Sequence, residues 1–356
     1  MYPKLVINLT KIKNNACKLA EECHKYGITM TAVTKVFCAD ERIVNTILEA
    51  PIDMLADSRL ENIAKYPKTD KKRLLLRAPM PEDADSVVCG CDISLNSELI
   101  TIKCLAEAAE KRGIKHSVIL MVDLGDLREG IFYKDVERIE KTVEFMTSSE
   151  GIDFLGVGVN LTCYGSIIPT AEKLQVLCDI AKALEVKYDI EIPVISGGNS
   201  SSLYLLYDGK MPEGVNNLRI GEGLVRGEET AYQQSIPGVF RDAIVLQAGL
   251  IEVQRKPSYP EGEIGLNAFG EKPFFEDKGE RIRGIVKLGR QDVPYNAILC
   301  TDPGVEILGA SSDHLIVDLT DSEINYEVGS VLEFKLEYSS VLAAFTSEYV
   351  QREYIQ

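Results

Sequence analysis

The sequence has 356 residues, 45% of them hydrophobic, so the chain is long enough to bury a large core and to form a barrel with a second domain. Its formal net charge of −16 at pH 7 argues against nucleic acid as a partner, because phosphate backbones require a basic surface. No apolar stretch approaches the length of a membrane span or resembles a signal peptide, and nine cysteines without regular spacing indicate reduced thiols. We therefore expect a cytoplasmic protein without a membrane segment. With three histidines and no paired ligand motif, no metal site is expected.

Residues 10–227 alternate between short apolar runs and segments of helical periodicity, a pattern typical of repeated βα units. The first helix is predicted to begin at Thr10 as its N-cap and to end before Gly27. Eight strands are predicted at residues 28–34, 52–56, 74–78, 92–95, 117–122, 154–160, 193–196 and 217–220, with long helices at 97–113, 134–148 and 170–188 and shorter ones near 40–50, 58–66, 81–88 and 199–208. This pattern predicts a (β/α)8 barrel of the TIM type; an open doubly wound sheet is the alternative, because periodicity does not show closure.

The character of the sequence changes after about residue 228, where Gly, Pro and alternating β-branched residues predominate. Strands are predicted there at residues 282–287, 305–308, 314–319 and 331–336. We therefore expect a C-terminal all-β domain over residues 228–356. A further strand at residues 5–9 has no place in an eight-stranded barrel, so residues 1–9 are expected to join this C-terminal domain.

Lys35 ends the run Thr31–Lys35, in which a β-branched strand gives way to a loop. The C-terminal ends of the strands are where α/β barrels hold their reactive groups. A lysine amine in a partly apolar pocket loses its proton more easily and can form a Schiff base. The alternative is an ordinary solvated lysine at a strand end.

Four other segments fall at the ends of predicted strands. Residues 122–130 form a glycine-punctuated loop with Arg128, whose guanidinium suits a carboxylate, and Asn160 ends the sixth strand. Residues 196–202 and 219–223 supply hydroxyls and glycine amides that suit a phosphate group. Barrels often bind phosphate with the loops after strands seven and eight, where these two segments lie, although flexible polar turns have a similar composition.

Together with Lys35, these motifs resemble the alanine racemase-like, fold-type III family of pyridoxal-phosphate enzymes over nearly the whole chain. Val6–Leu9, followed by Ile12 and Asn15, is similar to the first strand and helix of that family, and Ala32–Lys35 is similar to its cofactor-lysine motif. Asn199 with Ser200 and Arg219 with Gly221 match two further family motifs. The sequence of residues 122–130 is similar to that of the ornithine racemase branch of the family.

The resemblance implies that the cofactor is pyridoxal 5'-phosphate, held covalently by Lys35, which also transfers protons. It implies that Arg219 contacts the pyridine nitrogen and that Asn160 lies beside the ring. The implied phosphate contacts come from Asn199, Ser200, Ser201, Gly221, Glu222 and, by a looser match, Tyr338.

Substrate binding is expected to involve Arg128, which would hold the carboxylate of an amino acid. Ser312 and Asp313 belong to the run 309–313, which is similar to a family segment that reaches the active site of a neighbouring subunit. The resemblance therefore implies a homodimer with shared active sites.

The residue at position 219 also distinguishes reactions. Decarboxylases of the family place a carboxylate against the pyridine nitrogen, whereas an arginine disfavours the protonated ring and limits side reactions. Arg219 therefore favours racemisation, in which a proton leaves Cα and returns on the opposite face, with ornithine as the expected substrate. The alternatives are a fold-type III decarboxylase and a non-enzymatic carrier of pyridoxal phosphate.

Two tyrosines of the family pattern are missing. The position of the second proton-transfer base falls on Leu266, and a tyrosine near the cofactor lysine is replaced by Ala39. Candidates for the second proton donor are Tyr259, Tyr295, Cys300, and Asn267 acting through a water.

Overall fold

The computed structural model describes all residues from Met1 to Gln356. They form two compact units, one of residues 10–241 and the other of residues 1–9 and 242–356. The observed division at 241/242 lies after the predicted one at 227/228. Residues 228–241 remain with the first unit because the side chain of Asn15 accepts from the amide of Phe240 at 2.7 Å and donates to its carbonyl at 2.9 Å. The Glu228 carboxylate also pairs with both Arg226 and Arg241.

Strand β1 (Lys4–Asn8) belongs to the second unit and runs directly into helix α1 (Leu9–Lys25), so Thr10 lies inside the helix and is not its N-cap. The strands of the first unit are β2 (Thr29–Val33), β3 (Met54–Asp57), β4 (Lys72–Leu75), β5 (Ile93–Asn96), β6 (His116–Asp123), β7 (Ile131–Phe132), β8 (Ile152–Gly158), β9 (Val194–Ser196) and β10 (Asn217–Ile220). Its further helices are α2 (Glu41–Leu48), α3 (Leu60–Ile63), α4 (Ala84–Gly90), α5 (Leu99–Glu110), α6 (Val136–Ser148), α7 (Ala171–Tyr188), α8 (Leu203–Tyr207) and α9 (Glu222–Arg226).

The sheet of the first unit is a closed parallel barrel. Its strands pair in the order β5-β4-β3-β2-β10-β9-β8-β6, and β6 pairs with β5 to close the ring, while the short β7 extends only β6. All these pairs are parallel. The predicted (β/α)8 barrel is therefore confirmed, and the open sheet is excluded.

Two apolar layers follow from the alternation of side chains along the barrel strands. Leu95, Ile119 and Met121 belong to a small buried cluster of strand residues. Val118, Leu120 and Val122 point the other way and join a larger cluster with the helices. Gly156 permits close pairing of β8 with β9, because a Cβ there would lie 1.9 Å from the carbonyl oxygen of Val194.

The second unit is built on a β-sheet, as predicted, with all but one of its strand pairs antiparallel and with one helix that the prediction of an all-β domain did not include. Its remaining elements are β11 (Ile244–Pro257), β12 (Glu280–Val286), β13 (Ile298–Cys300), β14 (Glu306–Ala310), β15 (Leu315–Asp318), β16 (Val331–Leu336), α10 (Tyr338–Thr346) and β17 (Gln351–Ile355). The strand order is β13-β16-β11-β12-β15-β14, and β1 pairs antiparallel with β11 and parallel with β17. No helix of the chain is both long and apolar enough to cross a membrane.

Candidate active site

The predicted barrel residues converge at the carboxyl ends of the parallel strands. Lys35 follows β2, Arg128 lies in the loop after β6, and Asn160 comes shortly after β8. Asn199 and its serines follow β9, and Gly221 follows β10. Because parallel strands end at one rim of a barrel, the sequence motifs share that rim.

Lys35 begins a short 3₁₀ turn, Lys35–Phe37, that directly follows Thr34. The Thr34 amide donates to the carbonyl of Ala56 at 2.8 Å, and its hydroxyl donates to the Asp57 carboxylate at 2.7 Å, so this strand end is tied to β3. Burial is the main effect on the Lys35 amine and lowers its pKa; of the weaker effects, Cys163 raises the pKa, Arg128 lowers it, and Asp57 and Glu129 raise it. An amine with a lowered pKa is more readily neutral and nucleophilic.

Arg219 is a deeply buried cation at this rim, with 3% of its surface exposed. Its guanidinium donates to the hydroxyl of Ser196, to the carbonyl of Val159 at 2.6 Å and to Oδ1 of Asn160 at 2.7 Å. All three acceptors are neutral, and burial lowers the pKa of Arg219 to about 10. Its Nε has no hydrogen-bond partner in the chain and therefore keeps a donor for a ligand.

Arg128 is paired with its neighbour Glu129. Nε and Nη2 of Arg128 both bind the Glu129 carboxylate, the latter at 2.6 Å. The same carboxylate accepts a hydrogen bond from the side-chain amide of Asn160. Burial raises the pKa of Glu129, but the bond to Arg128 and its charge, together with Asn160, outweigh this and hold the pKa below its usual value.

The predicted phosphate-binding residues lie on two adjacent turns. Oδ1 of Asn199 accepts from the amide of Ser201 at 2.9 Å, and its Nδ2 donates to the carbonyl of Leu161 at 3.2 Å. The hydroxyl of Ser200 accepts from the amides of Gly221 at 3.4 Å and Gly223 at 3.2 Å, which joins the two turns.

Glu222 is expected to contact the phosphate through its backbone amide. Its side chain forms an ion pair with Arg226 one turn later in α9. Only its backbone amide is therefore a candidate phosphate contact. Gly221 packs closely against β2, since a Cβ there would make a tight contact of 3.1 Å with Cβ of Val33.

Three predicted residues belong to the second unit and stay predictions. Ser312 and Asp313 form the turn between β14 and β15, where the Ser312 hydroxyl donates to the Asp313 carboxylate at 2.6 Å and Gln291 donates to the same carboxylate at 3.3 Å. Tyr338 is the first residue of α10 and is half-buried.

The candidates for a second proton donor also lie in the second unit. The side chain of Asn267 caps a local turn by accepting from the amides of Phe269 and Glu271, and Leu266 is exposed in an irregular loop. The other candidates are an exposed Tyr259, a Tyr295 ring stacked on a guanidinium, and a buried Cys300.

Sequence reasoning missed Glu129 and Cys163. Cys163 lies in the loop after β8, near enough to Lys35 and Arg128 to affect the pKa of each, and its sulfur accepts from Nδ2 of Asn199 at 3.4 Å. Asp126 fixes this loop by accepting from the amides of Cys163 and Tyr164 at 3.2 and 2.9 Å. Cys163 stands in no recognisable motif, whereas Glu129 lies within residues 122–130, where the composition of the loop points only to Arg128.

The rim suits pyridoxal 5'-phosphate in its donor set. A half-buried amine with a lowered pKa, Lys35, is available to bind an aldehyde carbon. Arg219 retains an N–H for a ring nitrogen, and the joined turns around Ser200 supply amides and hydroxyls for a phosphate. No group of three or more His, Cys, Asp or Glu side chains is placed to hold a metal ion.

Comparison with known families decides the relationship. The sequence profile of the alanine racemase N-terminal domain matches residues 7–228. The chain belongs to the alanine racemase family. Ornithine racemase of Acetoanaerobium sticklandii is 46% identical over 353 residues, which cover 99% of each chain. Lysine racemase of Thermotoga maritima is 39% identical, again with 99% of each chain covered.

Solved structures of the family share the fold at low sequence identity. Alanine racemase from Bartonella henselae, whose structure contains covalently bound pyridoxal phosphate, aligns with a TM-score of 0.76 at 16% identity over 99% of each chain. Alanine racemase from Streptomyces coelicolor aligns with a TM-score of 0.75 at 17% identity, with 99% of this chain and 98% of that one covered. The barrel followed by a β domain is therefore the architecture of this family.

Proposed function

We propose that this protein is a pyridoxal-phosphate-dependent amino-acid racemase that interconverts L- and D-ornithine. The observation that carries the reaction type is Arg219, a buried cation with only neutral partners and an unbonded N–H at Nε. A ring nitrogen facing that group accepts a hydrogen bond and stays unprotonated, which is the electronic setting for racemisation and not for decarboxylation.

The residues at the rim have separate proposed roles in binding the cofactor and in proton transfer. Lys35 would hold the cofactor covalently, and Arg219 and Asn160 would contact its ring. The phosphate would be held by Asn199, Ser200, Ser201, the amides of Gly221 and Glu222, and Tyr338. The bound cofactor supplies an electron-withdrawing ring that acidifies the Cα–H bond of the amino acid. When it is not bound to the cofactor, Nζ of Lys35 would act as a base, and its lowered pKa makes the neutral form that accepts a proton more accessible.

Ornithine is supported by the 46% identical relative, and a basic side chain also by the 39% identical lysine racemase. The two carboxylates that act on Lys35 in the barrel, Asp57 and Glu129, are both engaged by other residues. The choice of ornithine therefore rests on the relatives and not on a carboxylate assigned to the side-chain ammonium.

We also propose a cytoplasmic homodimer in which Ser312 and Asp313 of one subunit contribute to the other subunit's site. All nine cysteines are free, which suits a reducing compartment. The turn of Ser312 and Asp313 matches the family segment that crosses the subunit boundary, which supports their role in substrate binding.

Chiral chromatography tests the proposal. Protein supplied with pyridoxal phosphate should convert either pure enantiomer of ornithine to an equal mixture, with a higher kcat/KM than for alanine or serine, and Lys35→Ala should abolish conversion. Release of carbon dioxide would indicate the decarboxylase, and cofactor binding without turnover would indicate the carrier. A clear preference for alanine would contradict the choice of substrate alone.

A further inference from the structure

One carboxylate at the barrel rim serves two neighbours at once. Glu129 accepts two hydrogen bonds from Arg128 and one from Asn160, and Asn160 is in turn held by the buried guanidinium of Arg219. Arg219 itself donates to the carbonyl of Val159, just after β8, and to the hydroxyl of Ser196. Arg128 is thus connected to the barrel interior by an unbroken series of hydrogen bonds.

The geometry of Arg128 shows which of its N–H groups have no partner in the chain. A guanidinium has five N–H donors in a rigid plane, and its Nε/Nη2 edge binds Glu129. Nη1 has no partner in the chain, so the Nη1/Nη2 edge remains open to a carboxylate. A planar fork recognises a carboxylate well only when its orientation is fixed.

Glu129 differs from an ordinary surface ion pair. Exposed arginine–carboxylate pairs contribute little, because long side chains lose entropy when they are held together. Here the Glu129 side chain is 29% exposed, and three hydrogen bonds fix it from two directions. The arrangement therefore orients Arg128 in addition to neutralising it.

We propose that Glu129 is a positioning residue that holds Arg128 so that its open edge binds the α-carboxylate of the substrate. This inference rests on the proposed function and extends it to a residue that acts only through its neighbour. Glu129 contacts neither the reacting atoms nor the residues assigned to the phosphate.

The test compares Glu129→Gln with the parental holoenzyme in two equilibrium titrations. The first follows the visible absorbance of the bound cofactor as L-ornithine is added, and the second measures the affinity of the protein for pyridoxal phosphate. Glutamine keeps the shape but replaces one acceptor by a donor, so it cannot bind both nitrogens of Arg128. We expect ornithine binding to weaken about 10- to 100-fold, the size of a lost charge-assisted bond, and cofactor affinity to change by less than about threefold.

Two further variants separate positioning from general damage. Arg128→Lys should weaken ornithine binding similarly, and the double variant should bind no more weakly than Arg128→Lys alone, because both changes remove one interaction. Glu98→Gln, which breaks a surface ion pair with Arg138, is the matched control and should leave both titrations unchanged. If Glu129→Gln does not fold, Glu129→Asp tests the same point, since its shorter carboxylate cannot reach both partners.

Parental ornithine binding in Glu129→Gln, an equal loss of ornithine and cofactor affinity, or additive effects in the double variant would each overturn the inference. A parental protein whose cofactor spectrum responds to no amino acid would instead overturn the proposed function.

Discussion

At the scale of single residues, the proposed reaction depends on Arg219. Its position in β10 places it beside Thr31 of β2, the strand that leads to Lys35. Burial lowers its pKa only to about 10, so it remains protonated at neutral pH. A cation that stays protonated here does not give its proton to a ring nitrogen, which is why we propose that Arg219 directs the reaction.

Arg219→Glu should favour the opposite protonation state of the ring nitrogen. A carboxylic acid facing the ring nitrogen favours the protonated ring, so racemisation should fall by about 100-fold or more while transamination to the keto acid rises. Chiral chromatography and a keto-acid assay measure the two products, and the cofactor spectrum with ornithine should change. Arg219→Gln, which removes the charge without adding an acid, is the control and should slow racemisation without raising transamination. A parental rate with an unchanged spectrum would show that Arg219 does not contact the ring.

The sequence reveals some of these residues and conceals others. Lys35, Arg219 and the Asn199–Ser201 turn stand in local patterns, where a strand ends and glycine or small polar residues follow, so they can be found without a structure. Glu129 is fixed in part by Asn160, which is 31 residues away in sequence. Such long-range pairings leave no local signature, and the importance of Cys163 was hidden for the same reason.

At the scale of elements, the barrel strands could be predicted because most of them contain a short run of buried apolar residues between turn signals. The weaker helices could not be bounded: α3 is a single turn, and residues 199–208 divide into a 3₁₀ turn and α8. Strands β11 and β17 were missed, since β11 ends in the polar run Gln254–Lys256 and β17 is mostly exposed. Their pairing is decided by β1 and β12, which local sequence does not show.

A contact between β5 and β6 makes the stability of the barrel depend on pH. His116 at the start of β6 is buried and bonded to the hydroxyl of Ser94 at 2.8 Å, and burial lowers its pKa from 6.5 to about 4. Above pH 6.5 the imidazole is neutral in both the folded and the unfolded chain. Between pH 6.5 and 4 only the unfolded chain binds the proton, so stability falls as the pH falls.

Protonation of His116 in the unfolded chain should lower the free energy of unfolding by about 2 kcal/mol at pH 5 relative to neutral pH. Urea unfolding of the parental protein and of His116→Gln at pH 7.5 and 5.0 measures it. Other titrating groups are shared, so the parental protein should lose about 2 kcal/mol more than the variant between the two pH values. Equal losses would mean that His116 is protonated in the folded state.

At the scale of the whole molecule, the chain combines a barrel that carries the predicted cofactor residues with a sheet unit that carries Ser312 and Asp313. The late boundary at 241/242 was not predictable, because it depends on the bonds between Asn15 and Phe240, which are 225 residues apart. If the sites are shared between subunits, each needs Lys35 from one chain and Asp313 from the other.

Co-expression of Lys35→Ala with Asp313→Ala tests this sharing. Half of randomly paired dimers are mixed, and each mixed dimer has one site with both residues intact, so the mixture should recover about a quarter of parental activity. Each variant alone should be inactive or nearly so. A mixture that stays at the level of the two variants, or a parental protein that sediments as a monomer, would contradict the shared site.

The most direct test of the account concerns Lys35, because every other assignment follows from a cofactor bound there. Purified protein with pyridoxal phosphate should show visible absorbance that borohydride removes by reducing the bond between the cofactor and the lysine. Peptide mapping by mass spectrometry should place the reduced cofactor on Lys35, and Lys35→Ala should give no such adduct at the rim. A cofactor mapped to any other lysine of the parental protein would contradict the account.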